Sequence, residues 1–112
     1  MVNLNLKNRR TFIIAEAGIN HNGNLKTAFK LVDTAKKNGA NAIKFQTYIT
    51  EKRVKKKYKK IYEILKNCEL SHNDFIKLKN YCSKKDILFF STPFDQESVD
   101  FLETLKVPIY KI

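Results

Sequence analysis

Four short apolar runs, each closing on polar or charged residues, limit the folds open to this chain. They are Phe12-Ile13-Ile14-Ala15-Glu16, Ala42-Ile43-Lys44-Phe45-Gln46-Thr47, Ile87-Leu88-Phe89-Phe90-Ser91-Thr92-Pro93 and Pro108-Ile109-Tyr110-Lys111-Ile112. Their length and β-forming residues predict strands over Thr11 to Ala15, Ala42 to Gln46 and Ile87 to Ser91, with a fourth beginning at Ile109. After the first run, Leu25, Ala28, Phe29, Val32 and Ala35 recur at helical spacing, with Asn24 as N-cap and Gly39 as stop. Lys36 and Lys37 suit the negative end of that helix. A tight hairpin has no room for a helix between its strands, so the first two strands are parallel and joined by a crossover.

The later connections follow the same plan. Val54, Tyr58, Ile61 and Leu65 form an apolar stripe expected to pack inward, and Lys55, Lys56, Lys57, Lys59 and Lys60 fill the other faces. A helix starts at Ser71, where Ser71 and Asp74 resemble a capping box, and runs through Phe75, Leu78 and Cys82 to about Lys84. Asp95 caps a further helix with Val99, Leu102 and Leu105 inward, and Val107-Pro108 ends it.

Alternating strands and helices indicate an α/β fold with a parallel sheet, either doubly wound and open or closed as a barrel. A dinucleotide turn needs Gly-x-Gly-x-x-Gly directly after a strand, and Gly18 and Gly23 lie too far apart for it. A barrel accounts for more, because it gathers side chains from the C-terminal ends of many strands at one mouth. Glu16, Lys44, Gln46, Thr92 and Lys111 are distributed in that way. A full (β/α)8 barrel takes about 250 residues, so the 112 residues here correspond to about four βα units, its N-terminal half, with Met1 to Arg10 as a leading arm.

Composition adds limits. No run approaches the roughly 18 apolar residues of a membrane helix, and the first residues lack a signal-peptide pattern, from which a soluble cytoplasmic protein is expected. Cys68 and Cys82 have no zinc-type spacing and read as small buried apolar side chains. The formal charge of +11 and the basic stretch from Lys52 to Lys60, with Tyr58 and Tyr62, keep open a nucleic-acid or anionic-surface binding module. Against it, the two tyrosines share the stripe expected to pack inward.

The segments Ile14-Ala15-Glu16-Ala17-Gly18-Ile19-Asn20-His21-Asn22-Gly23, Ile43-Lys44-Phe45-Gln46-Thr47, Ser91-Thr92-Pro93-Phe94-Asp95 and Val107-Pro108-Ile109-Tyr110-Lys111-Ile112 resemble, in order, the N-terminal half of the sialic acid synthase family. That family includes N-acetylneuraminate, legionaminic acid and pseudaminic acid synthases, and the wording from Glu16 to Gly23 is closer to the first two. The resemblance implies a barrel transferase of the EC 2.5.1 class, homodimeric at full length. It condenses phosphoenolpyruvate with an N-acetylated hexose such as N-acetylmannosamine, with help from a divalent metal, Mn2+ or Mg2+. It further implies Glu16 as catalytic carboxylate, Gln46 as a substrate-positioning amide, and Lys44, Thr92 and Lys111 as phosphoenolpyruvate contacts; Ser91, beside Thr92 at the same strand end, offers that anion an added hydroxyl. The metal ligands and a C-terminal antifreeze-like domain would lie beyond Ile112.

Each residue also has a plainer reading. A Glu or Lys ending one strand is commonly a solvated terminus or an ion-pair partner. His21 could ligate metal or be a loop residue hydrogen-bonded locally. A half barrel leaves unpaired sheet edges, so a non-catalytic truncated remnant, or a piece that associates to cover those edges, is the other expectation.

Overall fold

The computed structural model describes residues 10–112; of the arm expected over Met1 to Arg10, all but Arg10 lies outside the described residues. Three parallel strands, β1 (Ile14–Gly18), β2 (Ala42–Thr47) and β3 (Leu88–Pro93), pair in chain order. The β1 to β2 connection is α1 (Leu25–Lys37). The β2 to β3 connection holds α2 (Thr50–Arg53), α3 (Lys59–Cys68) and α4 (His72–Lys84), and α5 (Gln96–Thr104) follows β3.

The helices begin where side chains can satisfy their first backbone donors. Asn24 accepts from the Thr27 amide at 3.0 Å, Ser71 from Asp74 at 3.1 Å and Asp95 from Ser98 at 2.7 Å, each an N-cap of the kind that short polar residues supply. Behind the caps, Ala28 and Val32 of α1, Phe75, Leu78 and Cys82 of α4 and Leu102 of α5 join Ile43, Phe45 and Phe89 in one buried cluster. Phe89 lies between Phe45 and Phe75, at centroid distances of 5.9 and 6.3 Å.

That cluster gives the sheet two unlike faces. Strand residues alternate sides, so the helices cover Ile43, Phe45, Thr47, Phe89 and Ser91. Ile14, Glu16, Ala42, Lys44, Gln46, Leu88, Phe90 and Thr92 share the opposite face through the registers Ile14 with Ala42, Glu16 with Lys44, Lys44 with Phe90 and Gln46 with Thr92. A doubly wound sheet would put helices on both faces and bring its fourth strand beside the first. Here Tyr110 bridges in parallel to Ser91 of β3, so the order continues outward, as in the first half of a (β/α)8 barrel.

Strand boundaries differ from the sequence reading, and β1 and β2 run on to Gly18 and Thr47. β1 starts at Ile14 rather than Thr11, because Asn41, just before β2, already ties off Ile13: its side chain accepts from the Ile13 amide at 2.8 Å and its amide donates to the Ile13 carbonyl at 2.8 Å. β3 is shifted towards Pro93 by its register with β2. The fourth strand is reduced to the single Tyr110 bridge.

The inward stripe through Val54, Tyr58, Ile61 and Leu65 does not form. The chain is extended at Val54, and Tyr58, Ile61 and Ile64 are more than half exposed, while Leu65 and Cys68 are buried. Tertiary contacts turned in the side of α3 that carries Leu65 and Cys68 and left Ile61 outside. The Tyr48 hydroxyl donates to the Leu65 carbonyl at 2.6 Å and the Tyr62 hydroxyl to Glu51 at 2.9 Å. Among the described residues no helix is long and apolar enough to cross a membrane.

Candidate functional site

The C-terminal ends of the three strands bring most of the expected polar side chains together on the helix-free face. Glu16 and Lys44 are register partners, and the Lys44 ammonium forms an ion pair with the Glu16 carboxylate. The lysine side chain is only 14% exposed and the glutamate 56%, so the cation is held within the face and the acid reaches into the open mouth. A bulge follows at once, between Glu16 and Gly18, and Gly18 turns with φ +56°. Bulges commonly re-aim side chains beside sites. A Cβ at Gly18 would stand 3.5 Å from both Glu16 Oε1 and Gln46 Nε2, so the glycine keeps a gap bordered by a carboxylate oxygen and an amide donor.

Gln46 lies two residues beyond Lys44, beside Thr92 in register. Its Oε1 accepts from Arg53 Nη1 at 2.9 Å, which fixes the amide orientation and turns Nε2 to the Glu16 side. Arg53 is missing from the sequence reading. The available signal was its being the one arginine among the lysines of residues 52–60, seven positions after Gln46. Its guanidinium lies over the Phe94 ring at 3.7 Å and the Tyr48 ring at 4.8 Å.

The two remaining expected residues part company. Tyr110 is on the helix side, where its hydroxyl donates to Glu103 of α5 at 2.5 Å, so strand alternation puts Lys111 on the Thr92 face, exposed. Ser91 is not among the mouth residues. It is fully buried on the helix side, with its hydroxyl 2.8 Å from that of Thr47. A cavity of about 890 Å³ opens at the other end of the sheet beside Phe12, Asn41, Leu88, Lys106 and Pro108, away from this polar cluster.

His21 sits in the β1 to α1 loop, 1% exposed, and its Nδ1 accepts from the Gly23 amide at 3.0 Å. That local bond leaves Nε2 to carry the proton of the neutral ring. Burial lowers the His21 pKa below its ordinary 6.5. Protonation would turn Nδ1 from acceptor to donor and break the bond to Gly23. With a folded pKa below the unfolded one, the contribution to stability is complete above about pH 6.5. It is lost as pH falls from there through the folded value. Denaturant midpoints at about pH 7.5 and about pH 5.5 should therefore differ more for the wild type than for His21→Gln; equal differences would remove His21 as the cause.

Among the described residues no three His, Cys, Asp or Glu side chains come together as a metal site. The five lysines from Lys55 to Lys60 are exposed. Tyr58 is exposed with them, under the Lys57 ammonium at 5.1 Å, contrary to its expected inward packing.

Comparison with known proteins resolves the class. The NeuB family profile matches residues 31–112. The chain belongs to the NeuB family. It is 44% identical over 114 residues to the N,N'-diacetyllegionaminic acid synthase of Legionella pneumophila, covering 90% of this chain and 32% of that one. An uncharacterized protein of Methanocaldococcus jannaschii is 50% identical over 106 residues, covering 95% and 31%. Among solved structures, the N-acetylneuraminic acid synthetase of Leptospira borgpetersenii, in complex with citrate, superposes with a TM-score of 0.88 at 43% identity, over 93% of this chain and 36% of that one. This NeuB family chain thus spans about a third of the length of these relatives.

Proposed function

We propose that the protein is a cytoplasmic synthase of the sialic acid type, acting as a homodimer at full length. It condenses phosphoenolpyruvate with an N-acetylated hexose such as N-acetylmannosamine to give a nine-carbon 2-keto-3-deoxy acid and phosphate. The observation that carries this reading is the meeting of Glu16, Lys44, Gln46 and Thr92 at three strand ends on one helix-free face. Membership of a family whose named relatives include sugar acid synthases supports it. The half-exposed Ile13 and Ile14 at β1 support further strands closing the barrel beside them.

The chain's own residues account for the following steps. Lys44 and Lys111 supply fixed positive charge for the phosphate and carboxylate of phosphoenolpyruvate, and Thr92 a hydroxyl donor. The enol C3 attacks the aldehyde carbon of the sugar, a C–C bond forms, and the aldehyde oxygen takes a proton. Positive charge develops at C2, the carbon bearing the phosphate, opposite the Glu16 carboxylate, which stabilises it and orients the water that adds there. The added water gives up a proton, and the tetrahedral adduct breaks the bond from C2 to the phosphate oxygen, releasing phosphate while the C2 hydroxyl loses its remaining proton to become the ketone. Gln46 Nε2, turned into the gap above Gly18, holds a substrate oxygen. A divalent metal would act as a Lewis acid on the sugar, and no ligand set for it is assigned among the described residues.

The test is direct. The protein as the cell makes it is incubated with phosphoenolpyruvate and either N-acetylmannosamine or a 2,4-diacetamido hexose, with and without Mn2+. Stoichiometric phosphate and a nine-carbon 2-keto acid are expected with one acceptor. Phosphate release without a sugar adduct, or no turnover with either, would refute the reading.

A further inference from the structure

Charged groups on and around α2 are paired, whereas Arg53 meets only a neutral amide and two aromatic rings. Lys52 is paired with Glu97 at 2.8 Å, and Lys66 with Glu51 at 2.9 Å and Glu69 at 3.4 Å. Asp95 accepts from Ser98 and from the Ile49 amide, and Glu69 accepts from the amide and hydroxyl of Thr50 at 2.6 and 2.8 Å. Arg53 is in no ion pair among the described residues. Its one described hydrogen bond goes to a neutral amide, Gln46, whereas a guanidinium carries five N–H donors.

The position is also prepared. The four residues of α2 are tied down at both ends, through Thr50 to Glu69 and through Lys52 to Glu97. The planar group is stacked on Phe94, directly after the β3 end, and on Tyr48. Little side-chain freedom is left to lose when a ligand arrives, and the aromatic faces shield the cation from water, which strengthens its pull on an anion. Burial accordingly lowers the Arg53 pKa from its ordinary value, as expected where no carboxylate compensates a partly desolvated charge.

We propose that Arg53 is a phosphate-recognition residue of this mouth, a further cationic arm at the rim in addition to Lys44 and Lys111, separated from the Lys44–Glu16 pair by Gln46. The forked guanidinium matches two oxygens of a phosphate, which a lysine at the same place would meet only as a point charge. The proposal rests on the synthase reading for what the phosphate is attached to: the enol oxygen of phosphoenolpyruvate, or a hydroxyl of the acceptor hexose. The phosphate chemistry itself rests on Arg53 and its surroundings.

Calorimetric titration of the protein as the cell makes it separates these cases. The probes are phosphoenolpyruvate, inorganic phosphate, N-acetylmannosamine 6-phosphate and neutral N-acetylmannosamine, against wild type, Arg53→Gln and Arg53→Lys. Arg53→Gln should weaken at least one phosphate-bearing probe by about tenfold or more, Arg53→Lys should weaken it less, and the neutral sugar should bind unchanged. A loss for phosphoenolpyruvate and inorganic phosphate assigns the arm to the enol phosphate, and a loss confined to the sugar phosphate assigns it to the acceptor. Equal affinity of every phosphate probe for wild type and Arg53→Gln overturns the proposal. So does an equal loss for the neutral sugar, which would mean that the substitution only displaced Gln46. Arg53→Lys, with its near-ultraviolet circular dichroism compared with wild type, guards against misfolding of the glutamine variant. Lys44→Ala titrated in parallel reports on the synthase reading separately: unchanged phosphoenolpyruvate binding there would sink that reading and leave Arg53 to be judged on its own variants.

Discussion

Lys44→Ala is expected to lower kcat/KM for phosphoenolpyruvate by roughly a hundred- to a thousandfold with little effect on stability. Two losses combine at this position. The substrate forfeits a cation that the strand holds largely out of solvent, and the Glu16 carboxylate, now without its ion-pair partner, repels the same substrate. The small stability effect follows from exposure. The Glu16 side chain is 56% exposed, so solvent screens the pair, and its contribution to folding is no more than about 1 kcal/mol. Steady-state kinetics and a denaturant titration on the same preparation measure both halves. Unchanged kinetics, or a loss of activity matched by unfolding, would show that Lys44 serves the sheet rather than the substrate.

Gly23→Ala should have the largest effect on stability, about 3 to 5 kcal/mol. Gly23 has φ +75°, and a Cβ there would come within 2.0 Å of the Asn67 carbonyl oxygen and 3.1 Å of its carbon. The obstacle is backbone at the end of α3, so no rotamer change relieves it. The β1 to α1 loop or α3 must move, and the His21 Nδ1 bond to the Gly23 amide would go with it. Gly39→Ala is the control. Its φ is +86° but nothing lies within 4 Å of the added carbon, so only the left-handed backbone strain of about 1 to 2 kcal/mol applies. Similar urea midpoints for the two variants would show that the loop yields freely and that close packing at Asn67 is not what Gly23 serves.

Much of the fold was legible without coordinates because local chemistry and period agree in this chain. Asn24, Ser71 and Asp95 cap helices where short polar side chains precede apolar stripes at spacings of three and four. Phe75, Leu78, Cys82 and Leu102 are buried as that spacing requires. The polar strand ends announced a mouth, and their wording matched a family. His21 likewise bonds within its own loop.

Where the reading failed, the deciding partner was distant in sequence. Ser91 and Thr92 are both hydroxyls at one strand end, and composition does not distinguish them. A strand sends adjacent side chains to opposite faces, and only the register with β2 puts Ser91 against Thr47 beneath the helices and Thr92 beside Gln46 at the mouth. In the same way, α3 carries apolar residues on two sides, and the hydroxyls of Tyr48 and Tyr62 select which side turns in. Arg53 read as one more charge in a basic run until Thr50 met Glu69, Lys52 met Glu97 and Phe94 came beneath the guanidinium. Short-range pattern was sufficient for the three paired strands, the helices capped by Asn24, Ser71 and Asp95, and the family. Which face each residue serves depended on contacts between segments far apart in the chain, because a period places residues relative to their own element and leaves open what that element packs against.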